Sequence, residues 1–490
     1  MEKTALVFDC GATNVRVIAI NPQGTIHASR SLPNQTHEDP YYKGGIIWDL
    51  DEIWKKLCTA AKEVISEIDI NSIIAITTTS FGVDGSFIDK SGQLLYPVIS
   101  WQCERTAPVM KNIGKYMPLP DLYRISGINA YSFNTINKLI WFRENMTQVA
   151  DKADHFLFMP SLINFLLTGQ KLNDITMLGT SMLTNLCSRG LSEEILNKTG
   201  FHPDLFGNIG EPGDIVGKVS EWASAQTGIP AGTLVCLAGH DTQFAVFGSG
   251  ADIGQPVLSS GTWEILMARS SHFSTNEVQL NSGITTELDA ISGLYDIGLN
   301  WLGSGIIEWI RKRFYSECTR DNCYDIMIDE AMQSYPGSNG IFINPDFHNF
   351  RNTAFKGQIN GLTLNSKRGE ITRAAFEALS FQTRVALEAL EEAGNFRAGK
   401  LICVGGGSHN RLWNQIRTDV LNLPVMTITQ KETTVLGASF FAFTAAGVFS
   451  SPEEAKSQIE YNPEYIYPSE NSEQYQKLFD EWQKLIKQLV

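Results

Sequence analysis

Thr4-Ala5-Leu6-Val7-Phe8-Asp9-Cys10-Gly11-Ala12-Thr13-Asn14-Val15-Arg16-Val17-Ile18 is an apolar run, a small polar turn, and a second apolar run. The pattern returns half a chain later in Pro256-Val257-Leu258-Ser259-Ser260-Gly261-Thr262-Trp263-Glu264-Ile265-Leu266. Short apolar runs joined by Gly and small hydroxyl residues read as two strands and a tight turn. Two such hairpins predict two similar halves facing each other across a cleft, with unrelated hairpins as the alternative. The break falls near Gly248–Gly254, where Gly-Ser-Gly-Ala-Asp-Ile-Gly interrupts the pattern. The expected domains are therefore residues 1–248 and 249–490.

Outward from these hairpins, strand and helix signals alternate, which predicts an α/β fold. Asn21-Pro22-Gln23-Gly24 reads as a turn, and Thr25 opens another strand. Ile53, Leu57, Ala61, Val64 and Ile68 recur at helical spacing behind Asp51, the expected cap. A β-branched strand is expected over residues 73–79. Ile371, Ala375, Leu379, Ala386, Leu390 and Ala393 stripe a long helix that Gly394 is expected to end. A strand over 401–404 and a helix over 411–421 follow.

Composition narrows the function. The 490 residues suit two or three domains, and 43% hydrophobic with 10% aromatic residues excludes a disordered chain. With 39 basic against 53 acidic residues, a net charge of −14 and no basic run, nucleic acid is not an expected partner. Eight scattered Cys, of which Cys318 and Cys323 are nearest in sequence, suggest inert thiols, since a zinc site gathers four ligands. The chain runs from Met1 directly into a strand with no leader pattern. Its longest apolar stretch, near Leu436–Phe449, holds Ser439, Thr444 and two glycines, short of the ~18 residues of a membrane span. The expectation is a cytoplasmic protein that engages no membrane; a homodimer is left open.

Several clusters could carry chemistry. Gly11, Ala12 and Thr13 are small enough for backbone N–H groups to approach a phosphate, Thr13 and Asn14 add donors, and Arg16 can fork onto phosphate oxygens. Asp9 would repel bare phosphate but suits an intervening hydrated Mg2+; the alternative is a capped hairpin turn. Ser260-Gly261-Thr262 could hold the other end of a phosphate chain. No GxxxxGK[ST] occurs and no GxGxxG follows a strand, which excludes a P-loop and removes the support for a dinucleotide dehydrogenase. Gly405-Gly406-Gly407 leaves a surface on which a flat base could lie, with Asn410 either a base-edge contact or a helix cap. Gly239-His240-Asp241-Thr242-Gln243 ends an apolar strand. There Asp241 could orient a hydroxyl attacking a γ-phosphate while His240 and Thr242 bind a polyol, or it could simply cap a helix beside a buried His. Gly82, within Ser80–Gly85, together with Trp101 and Arg105 offers a close backbone, an aromatic face and a polar group for a sugar; the alternative is two strand-ending turns and a core Trp.

The order of these segments resembles the FGGY carbohydrate kinases of the actin/hexokinase ATPase superfamily. DCGATNVR, TTSFGVDGSFIDKSGQLLYPVISW, DITMLGTS, AGHDTQFAVFGSGA, PVLSSGTWEILMARS and VGGGSHNRLWNQI carry the resemblance, which spans residues 4 to about 467. It implies two RNase H-like domains that close over their substrates: residues 1–248 with the sugar site, the first phosphate loop and the catalytic Asp, and residues 249–490 with the second phosphate loop and the adenosine site. It implies Asp241 as proton acceptor, ATP phosphates on Ala12, Thr13, Asn14, Val15, Arg16 and Thr262, adenosine near Gly406 and Asn410, and Mg2+ near Asp9 and Asp241. By similarity to the rhamnulose kinases, sugar contacts fall on Gly82, His240, Asp241, Thr242 and Asn300. Ala12 departs from the family, where Ser or Thr is common. The implied activity is ATP-dependent phosphorylation of a small ketose at its C1 hydroxyl, L-fuculose first and L-rhamnulose or another ketose as the alternative. A sensor that binds ATP and sugar without efficient transfer is the rival from another class.

Overall fold

The computed structural model describes residues 3–347 and 356–489. In chain order, β1 (Thr4–Cys10), β2 (Asn14–Ile20) and β3 (Ile26–Pro33) precede α1 (Leu50–Ile65), β4 (Ile73–Ser80), β5 (Ile215–Lys218), β6 (Leu234–His240) and α2 (Asp241–Gly248). Then come β7 (Pro256–Ser260), β8 (Trp263–Ser270), β9 (Thr285–Leu288), β10 (Tyr295–Leu302), α3 (Arg368–Gly394), β11 (Leu401–Val404), α4 (Arg411–Leu421), β12 (Val425–Thr427), α5 (Thr433–Ala445) and β13 (Glu464–Ile466). The fold is α/β, with two compact units. The first is Met1–Gly250 with Ser271–Asp296 and Glu432–Glu460; the second is Ala251–Ser270, Ile297–Lys431 and Tyr461–Val490.

The first unit is built on a sheet of order β5-β6-β4-β1-β2-β3. β1 pairs antiparallel with β2 and parallel with β4, and β4 pairs parallel with β6. Leu6, Phe8, Val15, Val17, Ile76, Val235 and Leu237 are buried in its core, which is why these strands read as apolar runs. In the second unit the strands run β10-β8-β7-β11-β12-β13. Here too the hairpin's first strand, β7, pairs antiparallel with β8 and parallel with the next strand inward, β11. The hairpin repeat seen in the sequence is thus a repeat of topology.

The helix starts and stops need two corrections. α1 is capped by Asp49, whose carboxylate accepts the Glu52 N–H at 3.0 Å, so Asp51 lies in the first turn rather than at the cap. Both are acidic residues preceding the periodic stripe, and a shift of two positions is invisible to periodicity. α3 runs through Gly394, and Asn395, at φ +51°, takes the left-handed position that ends it; Asn tolerates that conformation nearly as well as Gly. The apolar stretch near Leu436 forms α5, a buried helix packed against α2, β1, β4 and β6 within the first unit. Among the described residues no helix is long and apolar enough to cross a membrane.

Candidate active site

The sheet of the first unit brings the carboxylates of the sequence motifs to one edge. Asp9 is the penultimate residue of β1, and Asp241 follows the last residue of β6; Ser80, at the end of β4, pairs with both Cys10 and His240. β1 and β6 therefore flank β4 with their C-terminal ends level, about 10 Å apart by strand spacing. Asp9 faces Arg16 across the hairpin, and Arg16 donates through Nε (2.9 Å) and Nη2 (2.5 Å) to Asp9 Oδ2. Its Nη1 donates to Glu432 Oε2 at 2.8 Å. Burial pushes the Asp9 carboxyl up to about 6; Arg16 pulls against it, while the charges of Asp241 and Glu432 add to it.

The turn between β1 and β2 is held by Asn34. Its Nδ2 donates to the Gly11 carbonyl at 2.9 Å, and its backbone N–H donates to the Thr13 carbonyl at 2.7 Å. Thr13 and Asn14 are exposed and Ala12 is half-buried, whereas the Val15 side chain is in the core and can offer a ligand only backbone.

Beside it, Asp241 opens α2 at its first residue, and His240 occupies the cap position without a side-chain cap bond. His240 Nε2 is 3.5 Å from Asp241 Oδ1, and the Thr242 hydroxyl lies 3.4 Å from Nε2 and 3.3 Å from Asp241 Oδ1. Gly82 makes room for the ring, since a Cβ at that position would stand 2.8 Å from Nε2. Burial raises the Asp241 carboxyl above its ordinary value against the opposing pull of His240. Burial works against charge on His240, yet the Glu287 and Asp241 carboxylates outweigh it and raise the imidazole. A carboxylate with raised basicity at the mouth of a strand can orient and deprotonate a hydroxyl.

Asp9 and Asp241 fit a magnesium ion on their electrostatics. Two carboxylates raised by burial, with Asp241's charge felt at Asp9 and one guanidinium shared with Glu432, leave negative charge that a divalent cation would relieve. Mg2+ takes one or two carboxylates and keeps several waters. Among the described residues no group of three or more His, Cys, Asp or Glu is gathered for a metal, so any such ion would rely on water for its other ligands.

Other residues serve the frame. Arg105 is fully buried, with Nη2 donating to Asp39 at 2.5 Å, and Asp39 also accepts the Tyr96 hydroxyl at 2.7 Å. Asp84 is buried against Lys138 and accepts the Trp48 Nε1–H at 2.7 Å and the Trp101 backbone N–H at 3.0 Å. Trp101 remains half-buried, its indole N–H without a partner.

The second unit carries Thr262, Gly406, Asn410 and Asn300. Thr262 and Asn300 are exposed, Thr262 on the β7–β8 turn and Asn300 on β10. Behind the turn, Glu264 is buried in contact with Arg417 and accepts the Ser260 hydroxyl at 2.8 Å and the Trp301 Nε1–H at 3.0 Å. A buried ion pair needs such extra hydrogen bonds to offset its desolvation. A cavity of about 920 Å3 opens beside it, lined by Gly405, Gly406, Arg411, Gln415, Thr429 and Tyr465 among others. Asn410 caps α4, its Oδ1 accepting the Trp413 N–H at 3.0 Å. The three glycines differ: a Cβ on Gly407 would meet Ser260 Oγ at 2.0 Å, whereas one on Gly406 would meet nothing within 4 Å.

Glu287 was not visible in the sequence, and Asp174, in the DITMLGTS segment, carried no sequence signal of a role. Asp174 Oδ1 accepts the N–H groups of Thr176 (2.8 Å) and Met177 (3.1 Å), and the Thr176 hydroxyl accepts the His240 N–H at 2.9 Å. Asp174 Oδ2 is buried without a partner.

The N-terminal domain model of the FGGY family of carbohydrate kinases matches residues 4–248, and the C-terminal domain model matches residues 257–446. The chain is similar to the L-fuculokinase of Escherichia coli (strain K12), 44% identical over 472 residues, 96% of this chain and 98% of that one. It is also similar to the rhamnulokinase of Bacteroides thetaiotaomicron, 27% identical over 91% of each chain. Its fold is that of a ligand-bound xylulose kinase from Lactobacillus acidophilus, with a TM-score of 0.91 at 20% identity over 99% of this chain and 98% of that one.

Burial pushes Asp174 up to about 7. An aspartate in the unfolded chain ionises near 3.8, so the fold loses stability as pH rises from about 4 to about 7, by up to about 4 kcal/mol. Asp174→Asn keeps the capping oxygen and removes the charge. Its melting temperature relative to wild type should climb across that window, whereas a pH-independent difference would contradict the assignment.

Proposed function

The chain belongs to the FGGY family of carbohydrate kinases, and from that premise we propose that it transfers the γ-phosphoryl group of ATP to the C1 hydroxyl of L-fuculose. The observation that carries the reaction is that Asp9 and Asp241 stand at the level ends of β1 and β6, Asp9 beside the Gly11–Asn14 turn and Asp241 beside His240 and Thr242. The sugar is supported by the likeness to L-fuculokinases, 41–44% identical over nearly their full length, against 27–28% for rhamnulokinases.

In this mechanism Gly82, His240 and Thr242 hold the ketose by its hydroxyls. Asp241 accepts a hydrogen bond from the C1 hydroxyl, aims the oxygen at phosphorus, and takes the proton as the new bond forms; its raised basicity suits that acceptance. The amides and side chains of Ala12, Thr13, Asn14 and Arg16, with Val15 contributing backbone, neutralise the phosphate chain, and Thr262 is the second unit's own phosphate contact. Ala12 supplies no hydroxyl, so that contact falls to backbone. Gly406 and Asn410 border the adenosine. Asp9 and Asp241 would hold Mg2+, which would supply the positive charge needed to screen the phosphates from these carboxylates. Residues 1–248 carry the base, the sugar contacts Gly82, His240 and Thr242, and the first phosphate turn; residues 249–490 carry the second phosphate turn and the adenosine surface.

With Mg-ATP and L-fuculose, the product's phosphorus resonance should be split into a triplet by the two C1 protons. Asp241→Asn should form that product about 10²- to 10⁴-fold more slowly while melting as the wild type does. Near-normal turnover in that variant would remove the mechanism, and a doublet would move the phosphate to a secondary hydroxyl.

The glycine loop gives a separate check. Gly406→Ala should fold normally and raise the KM for ATP, because its methyl enters open space along the cavity. Gly407→Ala should lower stability by about 1–3 kcal/mol through overpacking against Ser260. Equal behaviour of the two variants would contradict an adenosine surface at Gly406.

A further inference from the structure

Glu287 lies on β9, far in sequence from the cluster it touches. Its side chain is only 13% exposed, and Oε2 faces two groups from the end of β6 and the start of α2: His240 Nδ1, at 3.4 Å, and the Gln243 side-chain amide, which donates to it. His240 Nδ1 is buried and faces this carboxylate at ion-pair distance, with the Gln243 side chain also acting on the imidazole. Among the described residues no Lys or Arg is paired with Glu287. A carboxylate kept from water without a full cation is costly, and an apolar or amide side chain would fill the space at lower cost. What the carboxylate achieves is a grip on the ring. Glu287 stands 3.4 Å from Nδ1 on one side of the ring, with Gly82 and Thr242 against its other side, and Nε2 is left next to Asp241.

We propose that Glu287 is the positioning residue of the sugar subsite, fixing the His240 ring through Nδ1 and the Gln243 amide so that Nε2 meets the ketose beside Asp241. The inference rests on the ketose-kinase function proposed above. With the grip removed, the ring turns about its Cβ–Cγ bond and the hydroxyl it reads loses its partner. Recognition of the sugar suffers, while the nucleotide site, which Glu287 does not touch, is spared.

The test is steady-state kinetics of Glu287→Ala and Glu287→Gln with L-fuculose and ATP varied separately. Glu287→Ala should raise the KM for the sugar by about 10-fold or more, as expected for an unpaired polar group in a site built to read hydroxyls, with the KM for ATP within about twofold. Glu287→Gln keeps an acceptor oxygen at the same reach and should fall between this variant and wild type; it carries the test if the alanine variant does not fold. A sugar KM within about twofold of wild type, or an equal rise in both KM values, overturns the proposal. Wild type and Asp241→Asn are run alongside, with sugar binding followed by calorimetry. If wild type turns over L-fuculose, Asp241→Asn does not, and the Glu287 variants are normal, only the positioning role falls. If wild type neither binds nor phosphorylates any ketose, both proposals fall.

Discussion

A carboxylate taken out of water raises its own pKa until a cation or a set of donors compensates it, and the first unit is organised round that constraint. Asp9 and Asp241 stand at the level ends of β1 and β6 with β4 between them, and one guanidinium, Arg16, is shared between Asp9 and Glu432. The hairpin register fixes Arg16 opposite Asp9, so the compensating charge comes with the strand pairing itself. Because the compensation is incomplete, Asp9 stays at about 6 and Asp241 stays raised. Both are groups whose charge a phosphate–metal complex or an attacking hydroxyl could engage.

The second unit meets the same constraint with more donors on one carboxylate, although burial still raises Glu264 against the pull of Arg417. Glu264 is matched by Arg417, Ser260 and Trp301, all inside the unit, and the pair lies directly behind the β7–β8 turn and the glycine loop. Ser260 joins the two, with its hydroxyl bonded to Glu264 and its side chain against Gly407. The loop is thereby pinned from behind while Gly406 stays open to the cavity. All three carboxyls are raised by burial; what differs is exposure, since Glu264 is sealed behind the turn and Asp241 keeps a third of its side chain open to solvent.

Much of this was legible in the sequence, for physical reasons. The strands at 4–10, 256–260 and 401–404 are buried on both faces, so they read as apolar runs, and the turns between them need small residues. His240, Asp241 and Thr242 were visible because the polar residues follow an apolar strand immediately. What stayed hidden depends on contacts between distant positions. Arg105 reads as a cation available to a sugar, yet its partner Asp39 lies 66 positions away and buries it. Glu287 sits in an ordinary polar stretch and gains meaning only because β9 brings it to His240. The cap of α1 at Asp49 rather than Asp51, and the end of α3 at Asn395 rather than Gly394, turn on backbone angles that composition does not encode.

The central claim is that these carboxylates serve phosphoryl transfer to one ketose. The most direct measurement is ADP formation from Mg-ATP by the purified chain with L-fuculose, L-rhamnulose, D-xylulose, glycerol or no sugar. The account predicts rapid ADP formation with L-fuculose and little with the others or with none. Formation of ADP that is independent of sugar, or none with any sugar while ATP still binds, would contradict it.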